Sequence, residues 1–119
     1  MERRNSTMKD RLYLLKPDFL DQGKAYFCPG CAQVEGMLSF YPALREKVEV
    51  FYIEFPRPRP GLVAEIGEDN QGCPKLIIGG EGHIPQGIKV SEANGRRFIS
   101  APLEICSYLA GAYGVGEPH

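Results

Sequence analysis

The run VEVFYIEF, residues 48 to 55, places the strongest constraint on the fold. Its β-branched and aromatic residues favour a strand, and its apolar side chains fall on both of the faces between which a strand alternates. Such a strand needs cover on two sides, which predicts a central strand between packed layers. At 119 residues with 43% apolar content, the chain supports one such core in a single domain.

Around this run the apolar pattern alternates between strand and helix. Leu12 to Leu15 forms a short apolar run closed by Lys16-Pro17 and predicts a first strand, followed by a polar loop to Cys28. Val34, Met37, Leu38 and Tyr41 recur at helical spacing until Pro42. Pro60 opens and Gly67 closes a short second helix carrying Leu62, Val63 and Ile66, and a third strand over Lys75 to Ile78 is entered through Cys73-Pro74. Asn94-Gly95, between Lys89-Val90 and Phe98-Ile99, signals a hairpin with a fourth strand after it. The last helix opens at Ser100 or Ala101, carries Leu103, Cys106, Leu109, Ala110 and Tyr113 on one face, and stops at Gly114. The order β-α-β-α-β-β-α predicts an α/β domain over residues 11–115: a small mixed four-stranded sheet with helices on both faces. Its first strands should run parallel through two β-α-β steps, its last pair antiparallel. Residues 1–10 read as a flexible polar N-terminus and 116–119 as a tail.

Ligands of open sheets collect at the carboxyl ends of the parallel strands. The sequence Cys28-Pro29-Gly30-Cys31 lies there, at a helix start. A thiolate is the reactive form of cysteine, and a helix N-terminus supplies free N–H groups and partial positive charge to it. Pro29 suits a first turn that needs no N–H, and Gly30 leaves the approach to sulfur uncrowded. Cys31, one turn inside, can reach back to resolve a mixed disulfide formed at Cys28. A CxxC also fits half of a zinc site, for which Cys73, Cys106 and His83 are the further candidate ligands, or two inert buried thiols. Its position in a β-α-β pattern favours redox chemistry.

With the helix-opening CPGC and Cys73-Pro74 before a strand, the chain resembles the thioredoxin-like superfamily, and CPGC looks most like the glutaredoxins. That resemblance implies a cis Pro74 packed beside the dithiol and shaping the groove for a partner peptide or glutathione. The stretch from Asn94-Gly95 through Ile105 and Tyr108-Leu109-Ala110 to Tyr113-Gly114 resembles the end of a glutathione S-transferase N-terminal domain. The acidic-Ser pair of that family is replaced here by Ser100-Ala101, so transferase activity is not expected. The chain also resembles a family of small bacterial proteins of unassigned function. The resemblance implies a thiol or disulfide protein, or glutathione as co-substrate, with no required cofactor and no metal.

Cys73 has two readings: a small packed residue, or a third thiol at the site that resolves a mixed disulfide, tunes the potential, or joins Cys28 and Cys31 on zinc or an iron–sulfur cluster. In that last case the protein is a non-enzymatic binding module, and such a module could instead bind glutathione or a protein partner without turnover. Arg57 and Arg59 either line the mouth and bind a carboxylate, or belong to a solvated loop. Tyr26 and Phe27 are expected to wall the cleft, Cys106 to be core, and His83 to sit in an exposed Gly-rich turn. The long Gly79 to Glu92 connection is a candidate for substrate choice. A net charge of −1 with both signs scattered leaves no basic face for nucleic acid. No apolar stretch approaches a membrane span or a signal sequence, so a cytoplasmic protein is expected.

Overall fold

The computed structural model describes residues 8–80 and 84–119. Its elements are β1 (Asp10–Leu15), β2 (Phe19–Asp21), β3 (Lys24–Tyr26), α1 (Pro29–Phe40), α2 (Leu44–Lys47), β4 (Val48–Ile53), α3 (Pro60–Ile66), β5 (Lys75–Ile77), β6 (Lys89–Val90), β7 (Arg97–Ile99) and α4 (Pro102–Tyr113). A five-stranded mixed sheet runs in the order β4-β1-β5-β7-β6, and β2 pairs with β3 in a separate hairpin.

The predicted α/β class and mixed sheet are present. Proline opens three of the helices, with Pro29, Pro60 and Pro102 in their first turns. Gly114 ends α4 in the left-handed conformation, at φ 73°, which a side chain would strain. Helices cover both faces of the sheet. Leu12, Leu14, Leu76 and Ile99 pack with Val34 and Leu38 of α1 and Ile105 and Leu109 of α4. The alternate residues Tyr13, Ile77 and Phe98 pack with Leu62 and Ile66 of α3. Successive strand residues therefore feed two cores.

Four expectations need correction. The run at 48–55 is an edge strand, not a central one: Glu49, Phe51 and Tyr52 of β4 are exposed, and the buried interior of the sheet is formed by β1 and β5. The aromatic faces of β4 find local partners instead, Phe51 stacking on Tyr13 with ring centroids 4.9 Å apart and Tyr52 donating to Glu35. The second β-α-β step is not parallel either. Only β1 and β4 pair in parallel among the described strands, and β5 runs antiparallel to β1. After α3 the chain doubles back beside the helix, where the Arg59 side chain donates to the Gln71 carbonyl at 2.7 Å and the Arg59 N–H to Gln71 Oε1 at 2.6 Å. The chain thus re-enters the sheet from the end at which β4 left it.

The third correction is that the loop before Cys28 holds the β2–β3 hairpin, turning at Gln22 and Gly23, both with positive φ as a two-residue turn of this kind requires. The Phe19 ring stacks on Phe55 at 4.4 Å and ties this hairpin to the exit of β4. Lastly, Lys89–Val90 forms a fifth sheet strand, so the sheet is larger than the expected four. Among the described residues no helix is long and apolar enough to cross a membrane.

Two buried carboxylates join distant elements. Asp10, at the start of β1, accepts hydrogen bonds from Tyr108 at 2.6 Å, Tyr113 at 2.8 Å and the Gly79 N–H at 2.8 Å. Glu65 of α3 accepts from Arg11, Tyr13 and Arg96 at 2.9 to 3.0 Å. A buried charge is tolerated where its oxygens are satisfied in this way.

Candidate functional site

Cys28 is the N-cap of α1, with extended φ and ψ of −80° and 116°. This residue normally offers an oxygen to the free N–H groups of the first turn, and here sulfur takes that role. Its Sγ accepts the Cys31 N–H at 3.2 Å, so charge that develops on this sulfur meets a donor and the positive end of the helix. The Cys28 thiol also lies 3.7 Å from the Cys73 carbonyl oxygen, to which it donates.

Cys31 sits one turn deeper and is 4% exposed. Its Sγ accepts the Leu15 N–H at 3.4 Å, so the end of β1 clamps it from behind. Burial, reinforced by the hydrogen bond with Cys28, pushes its thiol far above the ordinary cysteine value. The Cys73 thiol is pushed up to about 11 by burial, against the pull of Arg59, Lys75 and Arg57. Cys106 lies on the buried face of α4 and is raised by burial alone. All four thiols are free.

The Cys73-Pro74 peptide is cis, and the Pro74 ring lies against the first turn of α1. Gly30 is the reason the helix comes so near. A Cβ built on Gly30 would stand 3.1 Å from Pro74 Cδ and 2.8 Å from Pro102 Cγ. Gly30 and Pro29 thus shape the packing of the dithiol turn against two proline rings, in addition to leaving sulfur accessible.

A groove of about 410 Å3 opens beside the dithiol, lined by Cys28, Cys31, Leu14, Leu15, Pro17, Phe27 and Ala32 together with Glu35 and Tyr52. That volume falls within the usual range of ligand clefts, roughly 300–1,000 Å3. A larger cavity of about 540 Å3 runs between α4 and residues 85–89 and contains none of the thiols, so its size does not mark it as the place of thiol chemistry.

The structure gathers Cys28, Pro29, Gly30, Cys31, Cys73 and Pro74 at one point. Phe27 is 61% exposed and walls the groove, whereas Tyr26 is exposed on β3, outside the groove lining, under the Lys24 ammonium. Arg57 is exposed. Arg59 corrects the expectation of a mouth-lining cation: it is 5% exposed, and its guanidinium donates to the carbonyls of Phe55 and Gln71. It holds the chain on either side of α3 and has no free edge for a substrate carboxylate. His83 lies outside the described residues.

Sequence reasoning missed the groove's polar rim. Arg45 donates to Glu35 at 2.6 Å and to Tyr52 at 2.9 Å, and Tyr52 donates to Glu35 at 2.7 Å. Glu35 stands four residues after Cys31, one turn along the same helix face, which is the only local signal for it. Lys75 was missed as well. It is 6% exposed beside Pro74, donates to the Ser100 hydroxyl at 2.9 Å, and is lowered by burial.

Among the described residues no group of three or more His, Cys, Asp or Glu side chains is arranged to hold a metal ion.

No curated protein and no solved structure matches the chain. Residues 9–117 match the family model described as Protein of unknown function (DUF3088). The chain belongs to that family.

Proposed function

We propose that this DUF3088 member is a thiol–disulfide oxidoreductase of thioredoxin-like fold, with Cys28 as nucleophile and Cys31 as resolving thiol. The observation that carries the reading is the Cys28 sulfur at the N-cap of α1, receiving the Cys31 N–H at 3.2 Å and lining an open groove. The fold assignment is supported by the parallel β1-α1-β4 unit, the antiparallel β5 entered through a cis proline, and helices on both faces.

In the proposed reaction the Cys28 thiolate attacks one sulfur of a substrate disulfide. A Cys28–substrate disulfide forms, and the other substrate sulfur leaves as a thiolate that takes up a proton. Cys31 then loses its proton and attacks Cys28 Sγ, which releases the second substrate thiol and leaves a Cys28–Cys31 disulfide. Two electrons pass from the dithiol to the substrate, and an external thiol or dithiol must return them. Burial holds the Cys31 thiol protonated in the free dithiol, which keeps the roles of the two sulfurs distinct. Thiol or disulfide proteins, or glutathione, are the partners of this reading, in a reducing compartment such as the cytoplasm.

The test is a redox titration followed by alkylation and mass measurement of the Cys28–Cys31 pair. A reversible two-electron transition between roughly −120 and −270 mV is expected, with Cys28→Ser inactive and Cys31→Ser trapping substrate as a mixed disulfide. Full reductase activity in both variants refutes the assignment.

A further inference from the structure

The walls of the groove beside the dithiol carry information about what enters it, and the inference drawn from them rests on the redox reading above. We propose that the substrates are peptide or unfolded-protein disulfides in which a bulky apolar side chain flanks the reacting cysteine, in preference to glutathione disulfide.

A disulfide that reaches Cys28 meets a groove that Cys28 shares with Leu14, Leu15, Pro17, Phe27 and Ala32. Phe27 immediately precedes Cys28 and remains 61% exposed, an uncovered aromatic ring at the point of attack. An apolar flanking side chain would cover that ring and be removed from water as it did so.

The charges around the groove argue against the alternative. Glutathione has free carboxylates on both arms, and a carboxylate that loses water needs a cation or several donors in return. The cations beside this groove are already engaged. Arg45 is paired with Glu35 at 2.6 Å, and Lys16, next to Pro17, is paired with Glu54 at 2.6 Å. Tyr52 donates its hydroxyl to Glu35. Arg57 and Lys75 lie outside the groove lining.

The experiment compares three substrates with the full-length reduced protein, using dithiothreitol as the returning dithiol. Two are peptide disulfides identical except for Leu or Ser beside the cysteine, and the third is glutathione disulfide. The Leu peptide is expected to exceed the Ser peptide by about 10-fold or more in kcat/KM, with glutathione disulfide slowest, as a hydrophobic pocket discriminates. Phe27→Ser should shrink the ratio of Leu to Ser peptide, a readout that a merely structural role for an exposed ring would not move. Equal rates for the two peptides, or preference for glutathione disulfide, overturn the inference and leave the oxidoreductase reading intact. Absence of turnover with all three refutes that reading and this inference with it. A concentration-dependent dimer that shields Cys28 from alkylation gives the groove to a second copy of the chain and also overturns the proposal.

Discussion

Gly30 and Pro74 face each other so closely that a single methyl group on Gly30 would stand 3.1 Å from Pro74 Cδ, and only 2.8 Å from Cγ of Pro102. The first turn of α1 is held against two rigid rings by the absence of a side chain. Gly30→Ala is expected to destabilise the protein by about 1 kcal/mol, because overpacking costs about 1–3 kcal/mol and the gain in helix propensity offsets roughly 1 kcal/mol of it. Gly36, in the middle of the same helix, is the control: nothing lies within 4 Å of the Cβ it lacks. Gly36→Ala should stabilise by about 0.5–1 kcal/mol. Urea unfolding of the two variants should therefore shift in opposite directions, and a common sign would contradict this account of the turn.

The thiols should separate by alkylation. Thiolate is the reactive form, and a raised value keeps a thiol protonated at neutral pH. Cys31 and Cys106 are buried, 4% exposed each, and both are raised by burial. Cys73 is pushed up to about 11. In reduced native protein near neutral pH, iodoacetamide should label Cys28 first, and Cys73 labelling should climb as pH rises toward 11. Peptide mass mapping reads this directly, and early labelling of Cys73 would count against its burial.

Glu65 should be among the costliest carboxylates to lose. Its side chain is 6% exposed and serves Arg11 and Arg96, themselves 36% and 31% exposed, together with the buried Tyr13 hydroxyl. Glu65→Gln is expected to lower stability by about 2 kcal/mol, the half-exposed arginines keeping the loss below that of a fully buried pair. Lys16→Ala, which breaks the exposed pair with Glu54, should stay within about 0.5 kcal/mol in the same denaturation assay.

Alkali should act through tyrosine. Burial raises Tyr13, Tyr108 and Tyr113 above the ordinary value of 10.0, and the carboxylates of Glu65 and Asp10 add to the effect. Above about pH 10 the unfolded chain loses phenolic protons that the folded chain retains. The unfolded state then binds fewer protons, so stability falls as pH rises. The urea midpoint should drop between about pH 9 and pH 11, and phenolate absorbance should rise together with unfolding. A phenolate signal from these residues in still-folded protein would refute the burial argument.

Local chemistry carried much of this structure into the sequence. Proline at the helix starts and glycine at Gly67 and Gly114 are backbone signals that act over a few residues, and α3 and α4 follow them closely. Cys28, Cys31 and Pro74 were legible for the same reason. What was misread depends on contacts between distant segments. The composition of β4 pointed to a central strand, and only its pairing with β1 alone places it at the edge. The direction of β5 is set by its pairing with β1 and β7, with Arg59 bonded to Gln71 on the way in, and the groove's rim is formed by Arg45 and Tyr52 meeting Glu35 across separate elements. The hairpin before Cys28 turns on Gln22-Gly23, a pair outside the usual Asn-Gly signature.

The Asp10 carboxylate gives the domain a particular history. Its two phenolic partners lie 98 and 103 residues further along the chain. During synthesis the start of β1 emerges early, yet the two phenols that satisfy one Asp10 carboxylate oxygen arrive only with α4. Until then a charged carboxylate stands where the strand must enter the core, and water is its better environment. The central strand is thus discouraged from settling prematurely. Completion of the sheet is tied to arrival of the final helix, so the dithiol mouth is assembled late and as part of a whole.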